Sequence, residues 1–173
     1  MVHAIVHSNL PPCEKNFDRV FEEVATVTGA AYETTANTLR LIVFHIFSNQ
    51  EVLRKLREEL ASMDKDPQAP FTLKELEPLP YLTAVLMEGL RLSPGVASRA
   101  ARITDSELVL GEWRIPPGIP VGMTAILMHT DERLYPDPLR FDPNRWVGST
   151  ARRDAGPNWA PFSRGTRNCL GMQ

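Results

Sequence analysis

The stretch Phe162-Ser163-Arg164-Gly165-Thr166-Arg167-Asn168-Cys169-Leu170-Gly171 decides how this chain is read. It sets one cysteine in a loop with two glycines, two arginines and a leading phenylalanine. A cysteine that ligates a metal does so as the thiolate, which nearby positive charge favours. Arg164 and Arg167 supply that charge. Gly165 and Gly171 admit backbone angles closed to other residues and allow close approach to a flat ligand. Phe162 can shield the sulfur from water. An inert structural cysteine would need none of these neighbours at these offsets.

Working outward, the composition excludes several classes. The chain has 173 residues, 43% hydrophobic and 23% charged, which is ordinary for a globular protein. A net charge of −2 gives no sign of a nucleic-acid surface. Two cysteines, Cys13 and Cys169, make no disulfide framework and fit a reducing compartment. Cys13, beside Pro11 and Pro12, has no motif around it. There is no apolar run of membrane-spanning length, and the first residues lack the cationic start and apolar core of a signal peptide.

Periodicity supplies the elements. Phe17, Val20, Phe21, Val24 and Val27, then Leu39, Ile42, Val43, Ile46 and Phe47, predict one long helix over 17–47. Between the two stripes lies Thr28-Gly29-Ala30-Ala31-Tyr32-Glu33-Thr34-Thr35, small and hydroxyl-rich. Ser48 and Glu51 read as a capping box for a helix over 50–61, followed by a polar loop at 64–70. Thr72 and Glu75 read as a second box before a short helix that Pro78 and Pro80 break. A third substantial helix covers 81–92. Thirteen of the fifteen prolines lie between Pro67 and Pro161, so the character then changes. Short strands are expected at 98–104, 108–110, 113–115 and 120–123, with a hairpin turn at Gly111-Glu112 and a short helix at 124–129. No period is sustained from 131 to 161; so long an irregular stretch in a compact domain is uncommon unless functional.

Three further motifs precede the cysteine loop. Glu88-Gly89-Leu90-Arg91 places an acid and a base on one helical face, three apart, where they can pair. Phe141-Asp142-Pro143-Asn144-Arg145-Trp146 lies further on, and Ala30-Ala31-Tyr32-Glu33-Thr34-Thr35 sits in the long helix. Taken in order with the cysteine loop, these resemble the Glu-x-x-Arg, Phe-x-Pro-x-Arg, oxygen-activation and cysteine-ligand elements of the cytochrome P-450 family. The loop and Gly95-Val96-Ala97-Ser98-Arg99 resemble filamentous-fungal microsomal members, often used in secondary metabolism.

The resemblance implies a mainly α fold with a small β-sheet (α+β). The chain would be the C-terminal part of that fold, truncated at both ends. Residues 1–173 would form one partial domain: an oxygen-binding helix at about 16–48, the Glu-x-x-Arg helix at about 80–92, short strands at about 98–123, a meander at about 131–161 and the cysteine-ligand loop at 162–171. Cys169 would be the axial ligand of haem b (iron protoporphyrin IX). Phe162, Gly165 and Gly171 would shape its seat. Arg167, with Arg102 favoured over Arg99 as a second cation, would meet the haem propionates. Glu88, Arg91 and Arg145 would form a structural triad under the cofactor. Glu33 and Thr34 would relay protons, although Ala31 stands where the family has glycine. Ala30, Ala31, Val96 and Ala97 could face an apolar substrate. His129, in His129-Thr130-Asp131, reads as a satisfied structural or propionate-side histidine rather than a metal ligand.

The implied reaction is monooxygenation of an apolar small molecule by O2. NADPH would supply electrons through NADPH-cytochrome P-450 reductase, with cytochrome b5 as a possible second donor. The full-length parent would sit on the cytosolic face of the endoplasmic reticulum membrane, although this chain has no membrane segment. Two rivals stand beside it. One is a non-enzymatic truncated fragment without stable haem. The other is a haem-thiolate isomerase or dehydratase, which needs no proton relay; Glu33 and Thr34 speak against that.

Overall fold

A computed structural model describes residues 1–63, 69–93, 95–148 and 156–172. Six α-helices are described: α1 (Val2–Val6), α2 (Phe17–Ser48), α3 (Gln50–Ala61), α4 (Leu73–Leu76), α5 (Pro80–Leu92) and α6 (Ala125–His129). Strands β1 (Leu108–Leu110) and β2 (Trp113–Ile115) form an antiparallel hairpin, with Leu108 opposite Ile115 and Leu110 opposite Trp113. Gly111 makes the turn at φ +59°, a left-handed angle that only glycine adopts at little cost. The chain is therefore mainly helical with a two-stranded sheet.

α2 is α-helical from end to end, including the small-residue run around Gly29 and Ala31. Asn16 caps it, accepting from the Arg19 amide. The cap of α3 is Asn49, not Ser48: its side chain accepts from the Glu51 and Val52 amides. Asn49 is also the C-cap of α2, so one residue ends one helix and starts the next. The Thr72–Glu75 capping box is present at α4.

α5 is the centre of the fold, packing against α2, α3, α6 and the 3-10 turn Pro143–Trp146. Its N-cap, Leu79, offers no side-chain bond; instead Glu59 of α3 accepts from the Tyr81 and Leu82 amides at 2.6 and 2.7 Å. A carboxylate there satisfies orphan donors and meets the positive end of the helix dipole. One core cluster joins Ile42, Val52, Leu56, Tyr81, Val85 and Phe141; a second joins Ala84, Met87, Tyr135 and Trp146. Gly89 sets the approach of α5 to α2, because a Cβ there would overlap Cγ1 of Ile42.

The strands expected at 98–104 and 120–123 reduce to a single bridge between Arg102 and Val121, which no further strand flanks among the described residues. Among its described residues the irregular stretch holds two 3-10 turns, Pro143–Trp146, which opens on proline, and Gly156–Asn158, with Pro157 second. The first apolar stripe of α2 stays outside the core: Phe17, Phe21 and Val27 are exposed, and Ile42 is the one buried residue of this helix. Of the segments expected from sequence, 64–68 in the polar loop, Pro94, and 149–155 in the meander lie outside the described residues.

Candidate functional site

The site is built on the inner face of α5. Glu88 is fully buried, and its carboxylate accepts four hydrogen bonds. Arg91 meets it with two parallel bonds of 2.8 Å, Nε to Oε2 and Nη2 to Oε1. The Asp142 amide and the Trp146 indole each add a bond of 2.9 Å. Bidentate, charge-assisted pairing is the strong form of such contacts, and here no carboxylate oxygen is left bare. Arg145 approaches Oε1 with Nε at 3.4 Å without a hydrogen bond, while its Nη2 donates to the Asp137 carbonyl at 3.0 Å. Glu88, Arg91 and Arg145 are thus brought together, with Arg145 as the looser member. Spacing alone did not announce Trp146 and the Asp142 amide as partners; the aromatic directly after Arg145 was the available signal.

The other end of Arg91 ties down the meander. Nη1 donates to the carbonyls of His129 and Pro138, both at 2.6 Å, and Nη2 to that of Arg140 at 3.3 Å. Its guanidinium lies 5.0 Å from the Tyr135 ring centre. Tyr135 donates its hydroxyl to the Asn158 carbonyl at 2.9 Å, and burial pushes its pKa up. Trp159 donates to the Met87 carbonyl at 3.2 Å, so the approach to the cysteine loop is pinned back onto α5. His129 is buried, with both ring nitrogens engaged.

The loop follows. Ser163 and Gly165 take φ of +64° and +78°, and the Cys169 amide donates to the Phe162 carbonyl at 2.9 Å, closing the loop. Cys169 is exposed and free. A Cβ on Gly171 would stand 3.8 Å from its sulfur, so the glycine leaves that side of the thiol open. Arg167 is exposed, and Arg164 donates to the Trp159 carbonyl at 3.2 Å. Arg99 is exposed; Arg102 folds its guanidinium onto the Ala100 and Ala101 carbonyls and lines an open depression of about 330 Å3 with Ile103, Leu108 and Val121.

The hydroxyl of Thr34 donates to the Ala30 carbonyl at 2.8 Å, back-bonding along its own helix. One turn on, Thr38 donates to the Thr34 carbonyl and receives the Ser93 hydroxyl at 2.8 Å, which links α2 to the end of α5. Glu33, Ala30, Ala31, Val96 and Ala97 are exposed.

These residues fit a haem. Among the described residues no group of three His, Cys, Asp or Glu could hold a bare ion. A metal already chelated by a macrocycle needs only one axial donor, and an exposed thiol in an arginine-bearing, glycine-opened loop supplies it.

Comparison with known proteins agrees. The cytochrome P450 family profile matches residues 12–173. Cytochrome P450 monooxygenase tndB of Aspergillus flavipes is 44% identical over 172 residues, 98% of this chain and 35% of that protein. Tryptophan 6-hydroxylase fscE of Fusarium equiseti is 45% identical, over 98% of this chain and 33% of its own length. Fusicoccadiene C-8 hydroxylase of Phomopsis amygdali is 40% identical, with 98% and 32% covered. The chain therefore spans about a third of the length of these relatives. In fold it is similar to retinoic acid-bound cyanobacterial CYP120A1, with a TM-score of 0.82 and 24% identity over 98% of this chain and 39% of that one. With its cysteine loop, its buried Glu88–Arg91 pair and a family profile running from residue 12 to its last residue, this chain belongs to the cytochrome P450 family, whose cofactor is haem.

Proposed function

We propose that this chain carries the ligand loop of a haem-thiolate monooxygenase and the network that supports it, with Cys169 as the residue that would ligate the haem iron. The observation that carries the reading is the exposed Cys169 thiol in a loop closed onto Phe162 and backed by the Glu88 network. The haem, when bound, supplies the activation of O2: substrate C–H, O2, NADPH and a proton give C–OH, water and NADP+. Arg167 and Arg102 offer cations to its propionates; Arg102 would first leave its two backbone carbonyls. Glu88, Arg91 and Arg145 hold the meander, and the meander holds the loop. Thr34 and Glu33 would hold and pass protons to the site. The named relatives include hydroxylases, which supports an organic substrate; the small residues Ala30, Ala31, Val96 and Ala97 favour an apolar one. Electrons from NADPH through a reductase, cytochrome b5 as a second donor, and the cytosolic face of the endoplasmic reticulum for the longer protein belong to the same proposal. Among the described residues no helix is long and apolar enough to cross a membrane.

One observation favours a second reading. The Thr34 hydroxyl proton is committed to the Ala30 carbonyl, and an isomerase or dehydratase would have no use for it. The ratio of oxygenated product to NADPH consumed, with a reductase and an apolar substrate, separates the two. A relay role predicts that Thr34→Ala keeps haem and NADPH consumption but loses product, by about 10²–10⁴-fold. Unchanged product in Thr34→Ala would make Thr34 a packing residue. Conversion of substrate with no NADPH consumed would favour the isomerase.

A further inference from the structure

His129 ends α6 and is 2% exposed. Its Nε2 lies 3.0 Å from the Ala160 amide, and its Nδ1 lies 3.1 Å from the Arg91 carbonyl. An amide N–H can only donate and a carbonyl can only accept. Nε2 must therefore carry the lone pair and Nδ1 the proton, and the surroundings select one neutral tautomer. The bonds continue toward the cysteine: the Ala160 carbonyl accepts from the Ser163 amide at 3.1 Å, and the Phe162 carbonyl from the Cys169 amide at 2.9 Å. One imidazole joins the end of α5 to the first residue of this chain of bonds.

We propose that His129 is a positioning residue that latches the cysteine loop to α5 as the Nδ1–H tautomer, and that protonation of its Nε2 releases the loop. The latch itself is independent of haem; its consequence for Cys169 as a ligand rests on the reading above. A protonated Nε2 would turn a second N–H toward the Ala160 amide, and two donors cannot bond. α5 presents the Arg91 guanidinium, which opposes an imidazolium, and the Glu88 carboxylate, which favours one but is already filled by four donors. The segment after α6 brings the Tyr135 ring edge-on at 6.4 Å, and Asp131, which is paired to Arg133. Arg145 stands behind Glu88. On the loop side, among the described residues, Arg164 donates to the Trp159 carbonyl next to Ala160. Burial is the largest influence and pushes the pKa of His129 below its ordinary value.

The test is an imidazole-nitrogen and amide-exchange titration of the full chain, without haem, from about pH 8 to about pH 5, an interval in which histidine changes charge. Exchange is expressed as protection, which removes its intrinsic pH dependence. The latch predicts an Nδ1–H ring at the high end. Protection of the Ala160 amide then falls by about tenfold per pH unit across the interval in which opening takes up one proton. His129→Gln can offer a side-chain oxygen to the Ala160 amide and does not titrate, so its protection should be flat with pH. An Nε2–H ring, an Ala160 amide whose protection ignores the ring's titration, or the wild-type pH dependence in His129→Gln would each overturn the proposal. Should His129→Gln not fold, the wild-type titration alone decides. Because no readout uses haem, failure of the latch is distinct from failure of Cys169 as ligand.

Discussion

The Trp146 indole donates to Glu88 Oε2 at 2.9 Å, inside a shell where both side chains are buried. An aromatic from the irregular stretch thereby closes onto the Glu88–Arg91 pair, which a regular helix carries. The same ring belongs to the second core cluster, beside Tyr135 and Met87. Polar satisfaction and apolar packing are carried by one side chain.

Trp146→Phe should keep most of the packing and lose the bond. A hydrogen bond to a buried charged group contributes roughly 1.5–3 kcal/mol, so urea unfolding should show a loss in that range. A change within experimental error would mean that water replaces the indole.

The three charged residues should not be equivalent. Glu88→Gln and Arg91→Ala each leave a buried partner uncompensated and should cost roughly 3–5 kcal/mol. Arg145→Ala should cost clearly less, because Arg145 makes no hydrogen bond to Glu88 and is partly exposed. The Glu88→Gln/Arg91→Ala double variant should cost little more than either alone, since both act on one network. Equal losses for Arg91→Ala and Arg145→Ala would contradict the geometry.

Gly89→Ala should destabilise by about 1–3 kcal/mol through overlap with Ile42. Ile42→Ala should recover part of that loss in the double variant. Additive losses in the same unfolding experiment would show that the two positions do not meet.

What the sequence told and did not tell follows from range. The bounds of α2 and α5 lie within one residue of their periodicity, because apolar spacing and helix-breaking prolines are local signals. Gly111 marked its turn for the same reason. The cap of α5 by Glu59, the Asp142 amide on Glu88 and the two ring bonds of His129 join residues far apart in the chain, and nothing in their neighbourhoods announces them. A Ser-x-x-Glu box fits at Ser48, but the actual cap, Asn49, serves two helices at once. In the candidate site, the motifs named Glu88, Arg91, Arg145 and Cys169. The connections running between them, through Trp146, Trp159 and His129, needed coordinates.

Acid should weaken the fold through two histidines. His45 stacks on Phe141 at 4.5 Å, nearly parallel, and burial lowers its pKa, opposed by the Glu88 charge. His129 is lowered as well. A histidine with a depressed folded pKa binds its proton more readily when unfolded. Stability is therefore full above about pH 6.5 and falls as pH drops toward the folded values. Denaturant midpoints at about pH 7.5 and pH 5.5 should differ in that direction, and the difference should shrink in His45→Phe. A midpoint that rises on acidification would reverse the sign.

The central claim is that Cys169 is the thiolate ligand of haem. Its most direct measurement is the carbon monoxide difference spectrum of the reduced, haem-loaded protein, in wild type and in the Cys13→Ser and Cys169→Ser variants. The red-shifted thiolate band should appear in wild type and in Cys13→Ser and be lost in Cys169→Ser. A band that survives in Cys169→Ser, or that vanishes in Cys13→Ser alone, would contradict it.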